Sequence, residues 1–222
     1  MEQPSGFSIT YHPEKYLAFS ITLYKFLKGT FLIMLNDRLR KQRLNTITIF
    51  PDPLLLYLMD KFDIIPGKKA LQQLIYFINL HVGRYKFKWN RFGLFSEELS
   101  YILDDLVFEN YVSIIPENHF TKLRYYNLCL TESGKRYLEK VRIDKKTKRI
   151  ISYVVDLLRD KNPREMELMA SVHYIATWAK CSDKKLTLAF TYKLIRDLKP
   201  DSGFSKADVM NTIQDLEKYK LI

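Results

Sequence analysis

The sequence predicts a mainly α protein: a winged helix-turn-helix with a small antiparallel β wing, followed by a C-terminal helical subdomain. Three observations carry that expectation. Proline and glycine are scarce, at 8 and 7 copies in 222 residues, which disfavours a turn-rich all-β chain and favours long helices. Apolar residues make up 47% of the chain and aromatics 14%, enough core to offset the entropy of ordering the backbone. Apolar positions recur mostly at helical spacing, interrupted by a few short extended stretches around turn residues.

The elements follow in order. Residues 1–50 form an N-terminal helical extension that ends at the break Phe50-Pro51-Asp52-Pro53. Within it, Tyr16–Leu35 has the length of a membrane span and is followed by Arg38, Arg40, Lys41 and Arg43. Lys25 and Lys28 lie near its centre, however, at a cost of roughly 3 kcal/mol each, about cancelling the roughly 0.5 kcal/mol gained per large apolar residue. The expectation is a helix packed on the rest of the chain, or on a second copy as a homodimer contact, and not a span.

The winged-helix-like module is expected over residues 54–143. Leu54–Phe62 reads as a short helix, Pro66-Gly67 as a turn, and Lys68–Leu80 as a helix buried on most sides. Tyr85–Trp89 alternates aromatic and lysine residues, so it is extended, with Tyr85, Phe87 and Trp89 on the core side. Trp89 and Phe95 are expected in the core. Ser96 is an N-cap, with Glu97 and Glu98 in the first turn of an amphipathic helix reaching Asn110. Tyr111–Ile115 and Lys122–Leu130 flank Pro116-Glu117-Asn118 and read as the hairpin wing. Thr131 caps a helix over Glu132–Val141. The C-terminal subdomain, residues 144–222, carries helices around Ile151–Leu158, over Glu165–Lys180, and after Ser205.

Several short stretches resemble a known family. Lys69–Phe77 (KALQQLIYF), Phe87–Trp89, Gly93–Leu99 (GLFSEEL), Asp105-Leu106, Leu130–Gly134, Glu167–Ala170 (ELMA) and Phe204–Leu216 together are similar to the YwgA-like proteins of bacteria and archaea, which are related to the Panacea antitoxin domains. The resemblance covers about residues 54–222. This chain has Gly93-Leu94-Phe95-Ser96 where the family has Gly-Pro-Tyr-Ser, and Ala70-Leu71-Gln72-Gln73-Leu74 where it has KLQKL. The resemblance implies a winged-helix-like helical fold with a regulatory or antitoxin-type role.

No catalytic or cofactor motif is visible: no P-loop, GxGxxG, HExxH or GxSxG. Asp144-Lys145-Lys146 and Asp183-Lys184-Lys185 echo metal-dependent nucleases, but neither has an upstream acid at a suitable spacing. His12, His81, His119 and His173 are scattered, and Cys129 and Cys181 stand alone, so no metal site or disulfide framework is expected. Met1–Tyr11 lacks the pattern of a secretory signal, and a cytoplasmic, non-enzymatic protein without cofactors is the expectation.

The formal net charge of +11 points to a polyanionic partner. One basic set comprises Lys122 and Arg124 on the wing with Lys140, Arg142, Lys145, Lys146, Lys148 and Arg149 in the linker beyond it; it is the candidate site for duplex DNA. A second set, Arg84, Lys86, Lys88 and Arg91, interleaves with aromatics in a manner that also suits base stacking. One feature resists the DNA reading. The helix before the wing carries Glu97, Glu98, Asp104, Asp105 and Glu109 with no Lys or Arg, and five acids would be repelled by phosphates. The alternative is a protein-interaction module, of antitoxin or adaptor type, that uses this acidic helix.

Overall fold

The computed structural model describes residues 51–90, 93–116 and 126–222. These form a mainly helical unit with a small antiparallel sheet. The segment expected to pack at 16–35, the wing residues Lys122 and Arg124, and Arg91 lie outside the described residues. Among the described residues no helix is long and apolar enough to cross a membrane.

Helix α1, Pro53–Phe62, begins inside the proline pair that the sequence suggested as a break. Pro53 occupies the first helical turn, where its missing N–H is no loss, and the Asp52 side chain accepts from the Leu54 N–H at 3.0 Å. Leu54, Leu55, Leu56, Leu58, Met59 and Phe62 are all buried. The two-residue strand β1, Ile64–Ile65, follows, and then α2, Gly67–Val82, which is buried over most of its surface as its sequence implied. Gly83, with φ 62°, closes α2 in the left-handed conformation that suits glycine.

A hairpin comes next: β2, Lys88–Asn90, pairs with β3, Gly93–Phe95, placing Trp89 opposite Leu94 and Lys88 opposite Phe95. The expected alternation holds along 85–89, with Tyr85 buried, Phe87 and Trp89 half-buried, and Lys86 and Lys88 exposed. On β3 the core residue is Leu94, while Phe95 is only half-buried.

Ser96 then caps α3, Glu97–Phe108, its hydroxyl accepting from the Leu99 N–H at 3.3 Å. Gln72 of α2 fixes this junction from below. Its amide donates to the Ser96 carbonyl at 3.0 Å and its oxygen accepts from the Ser96 N–H at 2.9 Å. Strands β4, Val112–Pro116, and β5, Tyr126–Leu130, pair with Val112 opposite Leu130 and Pro116 opposite Tyr126. β1 joins the far side of β5, so the sheet order is β1-β5-β4.

The remaining helices are α4, Glu132–Lys140; α5, Lys145–Leu158; α6, Pro163–Cys181; α7, Leu188–Leu198; and α8, Lys206–Lys218. Thr131 caps α4, as expected, by accepting from the Gly134 N–H at 3.1 Å. Asn162 with Glu165, and Ser205 with Asp208, form reciprocal capping boxes on α6 and α8. α2 packs against both α5 and α6, and one hydrophobic cluster runs from Leu54 to Leu216. Residues 144–222 therefore share a core with the preceding module.

Candidate nucleic-acid interface

Six of the ten residues 140–149 are cations, against the single acid Asp144. The structure corrects the reading of this run as a linker. Only residues 141–144 connect α4 to α5; Lys140 ends α4, and Lys145, Lys146, Lys148 and Arg149 occupy the start of α5. All six cations are exposed. The cations in the first turn of α5 oppose its dipole by about 0.3–1 kcal/mol each, so their charge does not serve α5 itself. Asp144 offsets part of this conflict as the N-cap, accepting from the Thr147 N–H at 2.9 Å. Hydrogen bonds from Thr147 hold its carboxyl below the usual carboxylate range, so it stays ionised.

α1 extends the basic surface in a way the sequence did not reveal. The half-buried Tyr57 ring has the Lys61 ammonium 5.2 Å from its centroid and the Lys148 ammonium 5.4 Å from it. Arg159, one residue past α5, donates to the Lys61 carbonyl at 2.9 Å. Lys61 also meets Asp60 at 3.4 Å, an exposed pair that contributes little and leaves the ammonium free to reorient. Two cations from helices far apart in sequence thus converge on one tyrosine, with Lys145, Lys146 and Arg149 on the neighbouring turns. A helical period read along one segment cannot report such a meeting of two segments.

Of the second basic set, Arg84 has a structural role, while Lys86 and Lys88 are exposed. Arg84 pairs with the buried Asp52 carboxylate at 3.0 Å, and the Tyr85 hydroxyl makes a very short hydrogen bond to the same carboxylate. Burial and the Asp52 charge push the Tyr85 phenol far above its ordinary range. Trp89 packs on Tyr174, ring centroids 5.5 Å apart, with the Lys199 ammonium 5.3 Å from its ring. Tyr85 and Trp89 are held by the core and do not form a row of open rings.

The acidic residues of α3 are divided as well. Glu97 and Glu98 are exposed in the first turn, where the helix dipole favours them, and Glu109 is exposed at the C-cap. Asp104 is half-buried and paired with Lys68 at 2.6 Å. Asp105 is half-buried and already engaged.

A buried ion cluster lies behind the β2–β3 hairpin. Glu167 of α6 bonds Lys199, just past α7, at very short range, and Lys69 of α2 at 2.5 Å. Lys199 is 7% exposed and Glu167 9%. The pair abuts Gly93, where a Cβ would lie 2.8 Å from the Lys199 nitrogen. Deeper still, Tyr76 and His173 Nδ1 are hydrogen-bonded at 2.8 Å, and burial lowers the imidazole pKa. No composition or spacing signal marks Lys199 or His173, because each acquires its partner from a helix distant in sequence. Among the described residues no group of three His, Cys, Asp or Glu side chains converges as a metal site.

Comparison with known proteins adds no relative: no family model matches the chain, and no curated protein matches it.

Proposed function

We propose that this chain is a non-enzymatic, cytoplasmic regulator that holds duplex DNA by its phosphates, through a winged-helix module and the basic surface beside it. The connectivity supports the winged-helix reading: three helices precede the β4–β5 hairpin, and a strand after the first helix closes the sheet beside it. The resemblance read from the sequence of residues 54–222 would imply the same kind of fold.

The observation that carries the proposal is the convergence of Lys61 and Lys148 on Tyr57, continuous with Lys145, Lys146 and Arg149. Phosphate contacts made by such cations carry no sequence information, so this reading expects affinity that is strong at low salt and weak in sequence preference. Reversing the charge of Lys145, Lys146, Lys148 and Arg149 to glutamate tests it. Duplex affinity measured by fluorescence anisotropy should fall equally for unrelated sequences, with an unchanged circular dichroism spectrum. Wild-type affinity in that variant would remove this surface from the site.

A further inference from the structure

We infer that the outer face of α3 is a docking surface for a basic segment of another protein. α3 turns Leu99, Leu103 and Leu106 into the core. Its outer face presents Tyr101 and Phe108, which are 61% and 66% exposed. Seven residues apart, these rings lie two turns from each other on one side of the helix, about 10 Å along its axis. α3 also packs against β4, where Ile114 and Ile115, on opposite faces of the strand, are 42% and 48% exposed.

Single exposed apolar residues are ordinary, but two large rings two turns apart on one helix face are suited to anchor an interface. Charge decides what fits there. Glu97 and Glu98 stand one turn before Tyr101, Glu109 follows Phe108, and α3 holds no Lys or Arg. The protein as a whole carries +11. An acidic rim around aromatic anchors on an otherwise basic protein repels phosphate. It favours arginine-rich polypeptide, whose guanidinium groups stack on the rings and pair with the carboxylates.

The test uses the full-length protein and two fluorescein-labelled peptides, one alternating arginine with leucine, the other identical but with glutamate replacing arginine. Anisotropy titrations are run at near-physiological salt on three forms: wild type, Tyr101→Ser/Phe108→Ser, and Glu97→Lys/Glu98→Lys/Glu109→Lys. Every substituted residue is exposed, so both variants should fold, the lysines at 97 and 98 losing only about 0.3–1 kcal/mol each against the helix dipole, and circular dichroism checks this. The inference expects wild type to prefer the arginine peptide by at least about tenfold, each variant to lose that preference, and both to keep duplex DNA affinity. Equal binding of the two peptides by wild type, or wild-type behaviour in the variants, overturns it. So does a loss of DNA binding confined to the Tyr101/Phe108 variant, which would make the face a nucleic-acid surface. Salt-sensitive self-association abolished by the variants would assign the face to a second copy and overturn it equally.

Discussion

Replacing Glu167 by glutamine should be among the most damaging single changes this protein can undergo. The carboxylate neutralises two ammonium groups, of which Lys199 is 7% exposed while the Lys69 side chain is about half exposed. Glutamine keeps the volume and the hydrogen-bonding oxygen but leaves the Lys199 charge buried beside Gly93 and Trp89 with no counterion. Removing one partner of a buried pair costs about 3–5 kcal/mol. For a chain of this size, that corresponds to a fall in melting temperature of about 6–20 °C. Lys199→Met should cost less, since Glu167 keeps Lys69 as its counterion. The double variant Glu167→Gln/Lys199→Met should be more stable than Glu167→Gln alone, because replacing both members of a buried pair by uncharged groups is often nearly neutral. Urea unfolding of the four proteins measures the cycle. The damage should extend to α3, whose first residues follow directly from the hairpin that this cluster backs. A loss below about 1 kcal/mol in Glu167→Gln, or a double variant no better than that single, would refute the account of Glu167 as the counterion of a trapped charge.

Three further outcomes follow from the same packing. Gly93→Ala combines a φ of 107°, which side chains rarely adopt, with a Cβ 2.8 Å from the Lys199 nitrogen; it should destabilise by about 1–3 kcal/mol in denaturant titration, and wild-type stability would contradict the geometry. Trp89→Ala should cost about 3 kcal/mol, the low end for a large aromatic because the ring is only half-buried, and a variant that melts normally but loses single-strand binding would return Trp89 to a stacking role. Burial keeps the His173 imidazole less basic in the folded chain than in the unfolded one, so its contribution is complete above about pH 6.5 and declines as pH falls through the window below it. Melting temperature should therefore drop as pH falls below about 6.5, and His173→Asn should flatten that part of the profile.

Much of the fold was legible because it is written in local patterns. Ser96, Thr131 and Ser205 announce their helices through capping chemistry, and Leu71, Leu74, Ile75 and Ile78 mark α2 by spacing alone. Three elements escaped for identifiable reasons. β1 has two residues, too few for a period, and exists because β5 offers it an edge. β3 hides in the run-up to Ser96, where a three-residue strand reads as the approach to a cap. α7 buries only Thr191 and Ile195, so its apolar stripe is thin. At position 53 proline starts the helix expected from Leu54, one residue earlier than expected, because its missing N–H is no loss in the first turn. For the candidate site, the cations of 140–149 were visible as a run, but their place on a helix and the addition of Tyr57 and Lys61 required tertiary packing. The acids of α3 were likewise visible. Which of them remain exposed depends on Lys68, which pairs with Asp104 from another helix.

The salt dependence of duplex DNA binding by the wild-type protein tests the central claim most directly. Each phosphate contact contributes about −0.9 to the slope of log K against log salt, so engagement of the six cations in 140–149 predicts a slope of about −5, the same for unrelated sequences. A slope near zero, or no duplex binding at low salt, would contradict the proposal that this basic surface holds nucleic acid.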